Sequence, residues 1–174
     1  MMSYSTVIIY SKDFSMDSTH IHLLLNHFPI IGTFIGTLVL AWAVVRKSND
    51  LRSAGCTIII LMALVAIPVY LTGEPAEESV EHLPGVSESM IESHEDAALQ
   101  ALIALEVAGV LALAGFFAHR TGHQRAHTLT LGALTVAIVS CALMSYTGFW
   151  GGQIRHSELR GAGQTESHSE SEDH

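Results

Sequence analysis

The chain carries eleven histidines in 174 residues. Six of them, His20, His22, His27, His82, His94 and His156, fall beside the ends of long apolar runs. Two open the first run in the stretch His22-Leu-Leu-Leu-Asn-His27-Phe-Pro-Ile. Neutral imidazole is a good ligand for haem iron and for iron, copper or zinc ions. On a helix, His20 and His27 are seven residues apart and share one face within about 20°, while His22 points about 140° from His27. His27 lies about one turn inside the first run, His94 begins the third, and His156 lies just past the fourth. Antiparallel helices therefore bring these residues to one depth. His27 and His94 are expected to ligate the bound iron or metal, with His22 and His156 as the reserve pair for a group nearer the surface.

Glycine supplies a second feature. Gly148, Gly151 and Gly152 precede His156 by one to two turns and make a bare face on the last helix. Such a face serves close helix packing, which is common in membranes, or admits a flat macrocycle. Helix bundles hold haem between side chains of facing helices, and Arg155 stands where haem propionates would lie. Haem b is therefore the leading cofactor. A non-haem Fe, Cu or Zn ion held by Glu78, His82, Glu92, His94 and His27 is the alternative. There is no Glu-x-x-His pair and no Cys-x-x-Cys-His sequence, so neither a di-iron bundle nor a c-type haem is expected. The stretches from Tyr70 to His82 and from Tyr146 to His156 both run Tyr, Thr-Gly, then His, which hints at duplicated helix pairs.

Glu106 is the one acid inside an apolar run. An ionisable group at that depth costs at least ~2.5 kcal/mol to insert and is functional by default. It lies twelve residues beyond His94, about 18 Å along a helix and about 120° round, so proton movement suits it and metal binding does not. A protonated carboxyl hydrogen-bonded inside the bundle is the structural alternative.

These residues need elements to position them. The composition is 49% hydrophobic and only 14% charged, well under the ~25% charge of soluble domains. The runs Leu23–Val45, Gly55–Gly73, Ala97–Ala118 and Leu129–Trp150 are each long enough to cross a ~30 Å hydrocarbon core. The fold class is an all-α, integral membrane four-helix bundle, with helices over about 20–46, 53–73, 88–119 and 126–156. Residues 1–18 form an N-terminal extension that lacks the pattern of a signal peptide, and either Met1 or Met16 could be the start. Residues 161–174 form a disordered acidic tail. Residues 19–160 form the transmembrane domain.

Five of the eight basic residues, Arg46, Lys47, Arg52, Arg120 and Arg125, lie in the first and third loops. Those loops are expected on the cytoplasmic side, with both termini and the second loop in the periplasm. The net charge of −9 is concentrated in the second loop, where Pro75–His82 reads as a short helix and Ser89 to Glu92 as a capping box, with Ser87 as another candidate cap. Nothing basic is laid out for nucleic acid. His119, His123 and His127 read as polar loop residues, and Cys56 and Cys141 as packing residues.

The His22–Ile30 stretch resembles the His-Pro-x-x-x-His-Phe-Pro-Ile opening of the DUF2231-type membrane proteins, a bacterial family of unknown function. Gly151-Gly152-Gln-Ile-Arg-His156 resembles the family's closing Gly-Gly and His. The likeness covers about Thr19 to Glu158, and departs in having Leu23 where a Pro is usual and a more elaborate acidic second loop. It implies a small protein of the bacterial inner membrane, suspected of haem or redox roles. The expected function is a b-type cytochrome between the quinone pool and a periplasmic redox partner. The alternatives are a non-haem metal-handling membrane protein and a non-catalytic subunit of a respiratory complex.

Overall fold

The computed structural model describes residues 22, 24–74 and 86–155, the last by its backbone. The expected short helix over 75–82, the N-terminal extension, the tail, His20, His82, His156 and the Arg155 side chain lie outside the described residues.

Four helices form: α1 (His27–Arg46), α2 (Asn49–Leu71), α3 (Glu88–Arg120) and α4 (Ala126–Arg155). All four are long and apolar enough to cross a membrane. At 1.5 Å per residue the 33-residue α3 runs about 50 Å, so one of its ends projects beyond a hydrocarbon core of about 30 Å. Sequential hairpins place α1 beside α2, α2 beside α3 and α3 beside α4, and α4 closes the ring against α1.

Local chemistry explains the boundaries. Lys47 ends α1 in the left-handed region, φ 51°, and Ser48 N–H donates back to the Ala43 carbonyl at 3.1 Å. The Ser48 hydroxyl then accepts from the Leu51 N–H at 3.4 Å, which starts α2 at Asn49, ahead of the expected residue 53. At α3 the helix follows Ser87, not Ser89, and the Ser87 hydroxyl contacts that of Ser89 at 3.1 Å instead of capping the backbone. The expected Ser89–Glu92 capping box is therefore not the start of this helix.

The core is built from small residues. Ala63, Ala101, Ala108, Ala112, Ala133 and Ala137 are buried around Leu40, Ile59 and Leu105. A Cβ on Gly55 would sit 2.9 Å from the backbone nitrogen of Leu40, and one on Gly109 would sit 2.7 Å from the Ala63 Cβ. Glycine here lets helix backbones approach closely, as in membrane bundles. Cys56 and Cys141 are free and buried, and Cys141 Sγ lies 3.6 Å from the Thr37 hydroxyl.

The large apolar side chains point the other way. Leu38 is 69% exposed, Val110 66% and Phe117 57%. A water-soluble bundle of this size rarely leaves so continuous an apolar surface open. This inside-out distribution suits a lipid bilayer as solvent.

Candidate functional site

One end of the bundle carries the start of α1, the end of α2, the start of α3 and the end of α4. His22 lies in a helical turn that leads into α1, where the Asn26 N–H donates to the His22 carbonyl at 2.9 Å. Its ring folds over the end of α2. Nδ1 lies 3.1 Å from the Val69 carbonyl and 3.3 Å from the Thr72 hydroxyl. The Val69 carbonyl also accepts from the Thr72 N–H at 3.2 Å and the Thr72 hydroxyl at 2.8 Å, so the imidazole adds a bond to α2 from outside that helix.

His94 makes the matching tie in the other pair of helices. From the second turn of α3 its Nδ1 lies 3.1 Å from the Thr147 carbonyl of α4. Gly151 makes that approach possible, because a Cβ there would stand 3.2 Å from His94 Cε1 and 3.5 Å from Nδ1. Each helix pair is thus cross-tied by one imidazole, beside Tyr70 in the first pair and Tyr146 in the second.

A carbonyl can only accept, so in each ring Nδ1 carries the hydrogen. Nε2 then holds a lone pair and takes no part in either bond. Histidines that ligate metals are oriented in this way, the second nitrogen donating to a carbonyl or carboxylate. Burial chiefly, and then the neighbouring His94, hold His22 below the usual histidine range against the opposing pull of the Val69 carbonyl. His22 is accordingly neutral at physiological pH and suited to act as a ligand.

The structure brings His22, from the expected reserve pair, into electrostatic range of His94. His27 is the first residue of α1 and its side chain is exposed. Among the described residues no three His, Cys, Asp or Glu side chains converge as a metal site.

The glycine face divides in two. Gly151 is filled by the His94 ring, while a Cβ on Gly148 or Gly152 would meet nothing within 4 Å. Next to Gly151, the indole nitrogen of Trp150 is buried with no hydrogen-bond partner, as is Oδ1 of Asn26, one turn beyond His22. An orphaned donor and an orphaned acceptor thus lie at the same end of the bundle. Neither orphan was legible in the sequence. Asn26 stands inside the quoted histidine stretch, but only the fold shows that its oxygen is buried.

Glu106 is far from this end. Its Oε1 is buried and has no hydrogen-bond partner, so the structural alternative of a bonded carboxyl does not describe that oxygen. Residues Gly109 and Leu102 on neighbouring turns place it on the flank of α3 nearer α2, where Gly109 meets Ala63.

No family model, curated protein or solved structure matches this chain. The resemblance to the DUF2231-type proteins rests on the two quoted motifs.

Proposed function

We propose that this chain is a multi-pass protein of the bacterial inner membrane that holds a redox-active haem b at its periplasmic end. In this reading it passes electrons between the quinone pool and a periplasmic partner. The observation that supports it best is the pair of Nδ1-to-carbonyl hydrogen bonds, which leave the Nε2 atoms of His22 and His94 outside either bond at one end of the bundle. The basic residues at the opposite end support the orientation, with both termini in the periplasm.

His22 and His94 would hold the iron, and the unpartnered Trp150 indole N–H would donate to a carboxylate. Haem supplies one-electron redox chemistry when bound. The chain does the rest. Val69 and Thr147 fix the tautomer and tilt of each ring, and Gly151 gives His94 its place. Glu106, whose Oε1 is buried and unpaired, would carry a proton that accompanies quinol oxidation.

The test is the composition and spectrum of the purified full chain, oxidised and dithionite-reduced. A reduced α-band with stoichiometric non-covalent haem supports the proposal. A colourless protein with stoichiometric iron, copper or zinc favours metal handling instead. A colourless, metal-free chain that co-purifies with larger subunits favours a respiratory-complex subunit.

A further inference from the structure

At the basic end of the bundle, the turn between α3 and α4 frames a shallow cavity of about 350 Å³. Phe117, Ala118, Thr121, His123, Arg125 and Leu129 line it. The lining has two halves. Phe117 and Leu129 form an apolar floor on the helices, and His123 and Arg125 form a polar rim in the turn.

The rim is built to donate. Arg125 is exposed, and its guanidinium always carries charge. Its backbone N–H donates to His123 Nδ1 at 3.1 Å. Nδ1 is therefore the accepting nitrogen of the neutral ring, and Nε2 carries the hydrogen. Gly122, with φ 65°, allows the tight turn that sets these two side chains together. Thr121 adds no donor, because its hydroxyl already donates to the Phe117 and Ala118 carbonyls at 3.0 and 3.3 Å.

The surrounding charge has one sign. Arg46, Lys47, Arg52, Arg120 and Arg125 gather at this end, and Asp50 is the single carboxylate there among the described residues. The Arg46 guanidinium stacks on Trp42 and that of Arg120 on Phe116, and Arg52 is engaged with Asn49 and His119. Arg125 is the guanidinium left on the cavity. A water-filled groove does not need an apolar floor, and a purely apolar ligand does not need the donors.

We infer that this cavity binds the headgroup of an anionic phospholipid, with the phosphate on Arg125 and His123 and the glycerol–acyl junction on Phe117 and Leu129. Basic pockets at helix ends recognise anionic headgroups by this combination of charge and hydrocarbon contact. The inference rests on the membrane setting of the bundle and is independent of what the histidine end holds.

The experiment is native mass spectrometry of the full chain, delipidated in neutral detergent and titrated with phosphatidylglycerol, phosphatidylcholine or inorganic phosphate. The expected result is selective retention of phosphatidylglycerol, weakened about fivefold or more in Arg125→Gln. Arg125→Lys keeps the charge and is expected to lose less. Arg46→Gln, on the other hairpin, is expected to leave retention unchanged. Circular dichroism confirms that each variant is folded. Equal retention of both lipids overturns the proposal. So does an equal loss in Arg46→Gln, which would mean diffuse attraction without a site. Displacement of the lipid by millimolar phosphate would assign the rim to a free anion and also overturn it.

Discussion

The imidazole of His94 occupies the space that a side chain on Gly151 would fill, with Cε1 3.2 Å from the position of the missing Cβ. This contact lets an α3 side chain hydrogen-bond to a carbonyl inside α4. A Cβ at that distance forces the ring to shift by a few tenths of an ångström. Gly151→Ala is therefore expected to loosen the bond to Thr147 and to destabilise the chain by about 1 kcal/mol, roughly the net worth of one hydrogen bond. Gly148→Ala, which meets open space, is expected to be neutral or slightly stabilising because alanine is the better helix former. Thermal unfolding in detergent compares the two. An equal change in the two variants would show that the His94 contact carries no energy.

Acid should weaken the tie between α1 and α2. An unfolded histidine takes its proton near pH 6.5, and folded His22 takes it lower because it is buried and near His94. Between those two values the unfolded chain binds more protons, so stability is full above about pH 6.5 and falls as pH drops toward the folded value. Unfolding midpoints from pH 8 to pH 5 are expected to decline below about 6.5. His22→Gln is expected to flatten part of that decline. An identical slope in the variant would mean that another group controls it.

Gly55 sits against backbone, which cannot move aside as a flexible side chain can. A Cβ there would lie 2.9 Å from Leu40 N and 3.0 Å from Leu40 Cα. Gly55→Ala is expected to push α1 from α2 and cost about 1–3 kcal/mol. Measured unfolding of this variant near the wild-type midpoint would show that the α1·α2 contact is not a close one.

Glu106→Gln keeps shape and one acceptor while removing the titrating proton. It is expected to leave the bound group at full occupancy and to alter the pH dependence of quinol-linked electron transfer. The separation from His94, about 18 Å along α3, predicts that split. Loss of the bound group from a folded Glu106→Gln chain would move the site half a membrane inward.

The four helices were legible because a bilayer demands long uncharged runs, and Leu23–Val45 or Ala97–Ala118 have no other simple use. The place of His94 near one end was legible for the same reason. The bond of His22 to the end of α2 was not. Helical periodicity separates His22 from His27 by angle, but which ring meets α2 is set by the packing of α1 against α2, as at Gly55 and Leu40. The bare glycine face likewise could not reveal that His94 fills one of its three positions. Ser87 and Ser89 are both acceptable caps by type, and a difference of two residues lies within what local sequence can resolve.

We propose that His22 and His94 together hold one iron. The most direct measurement is the reduced-minus-oxidised spectrum of the wild type beside His22→Ala, His94→Ala and His27→Ala, each checked for folding by circular dichroism. A haem α-band is expected in the wild type and in His27→Ala, with its loss or displacement in the other two. An unaltered band in folded His22→Ala and His94→Ala, or its loss in His27→Ala alone, would contradict it.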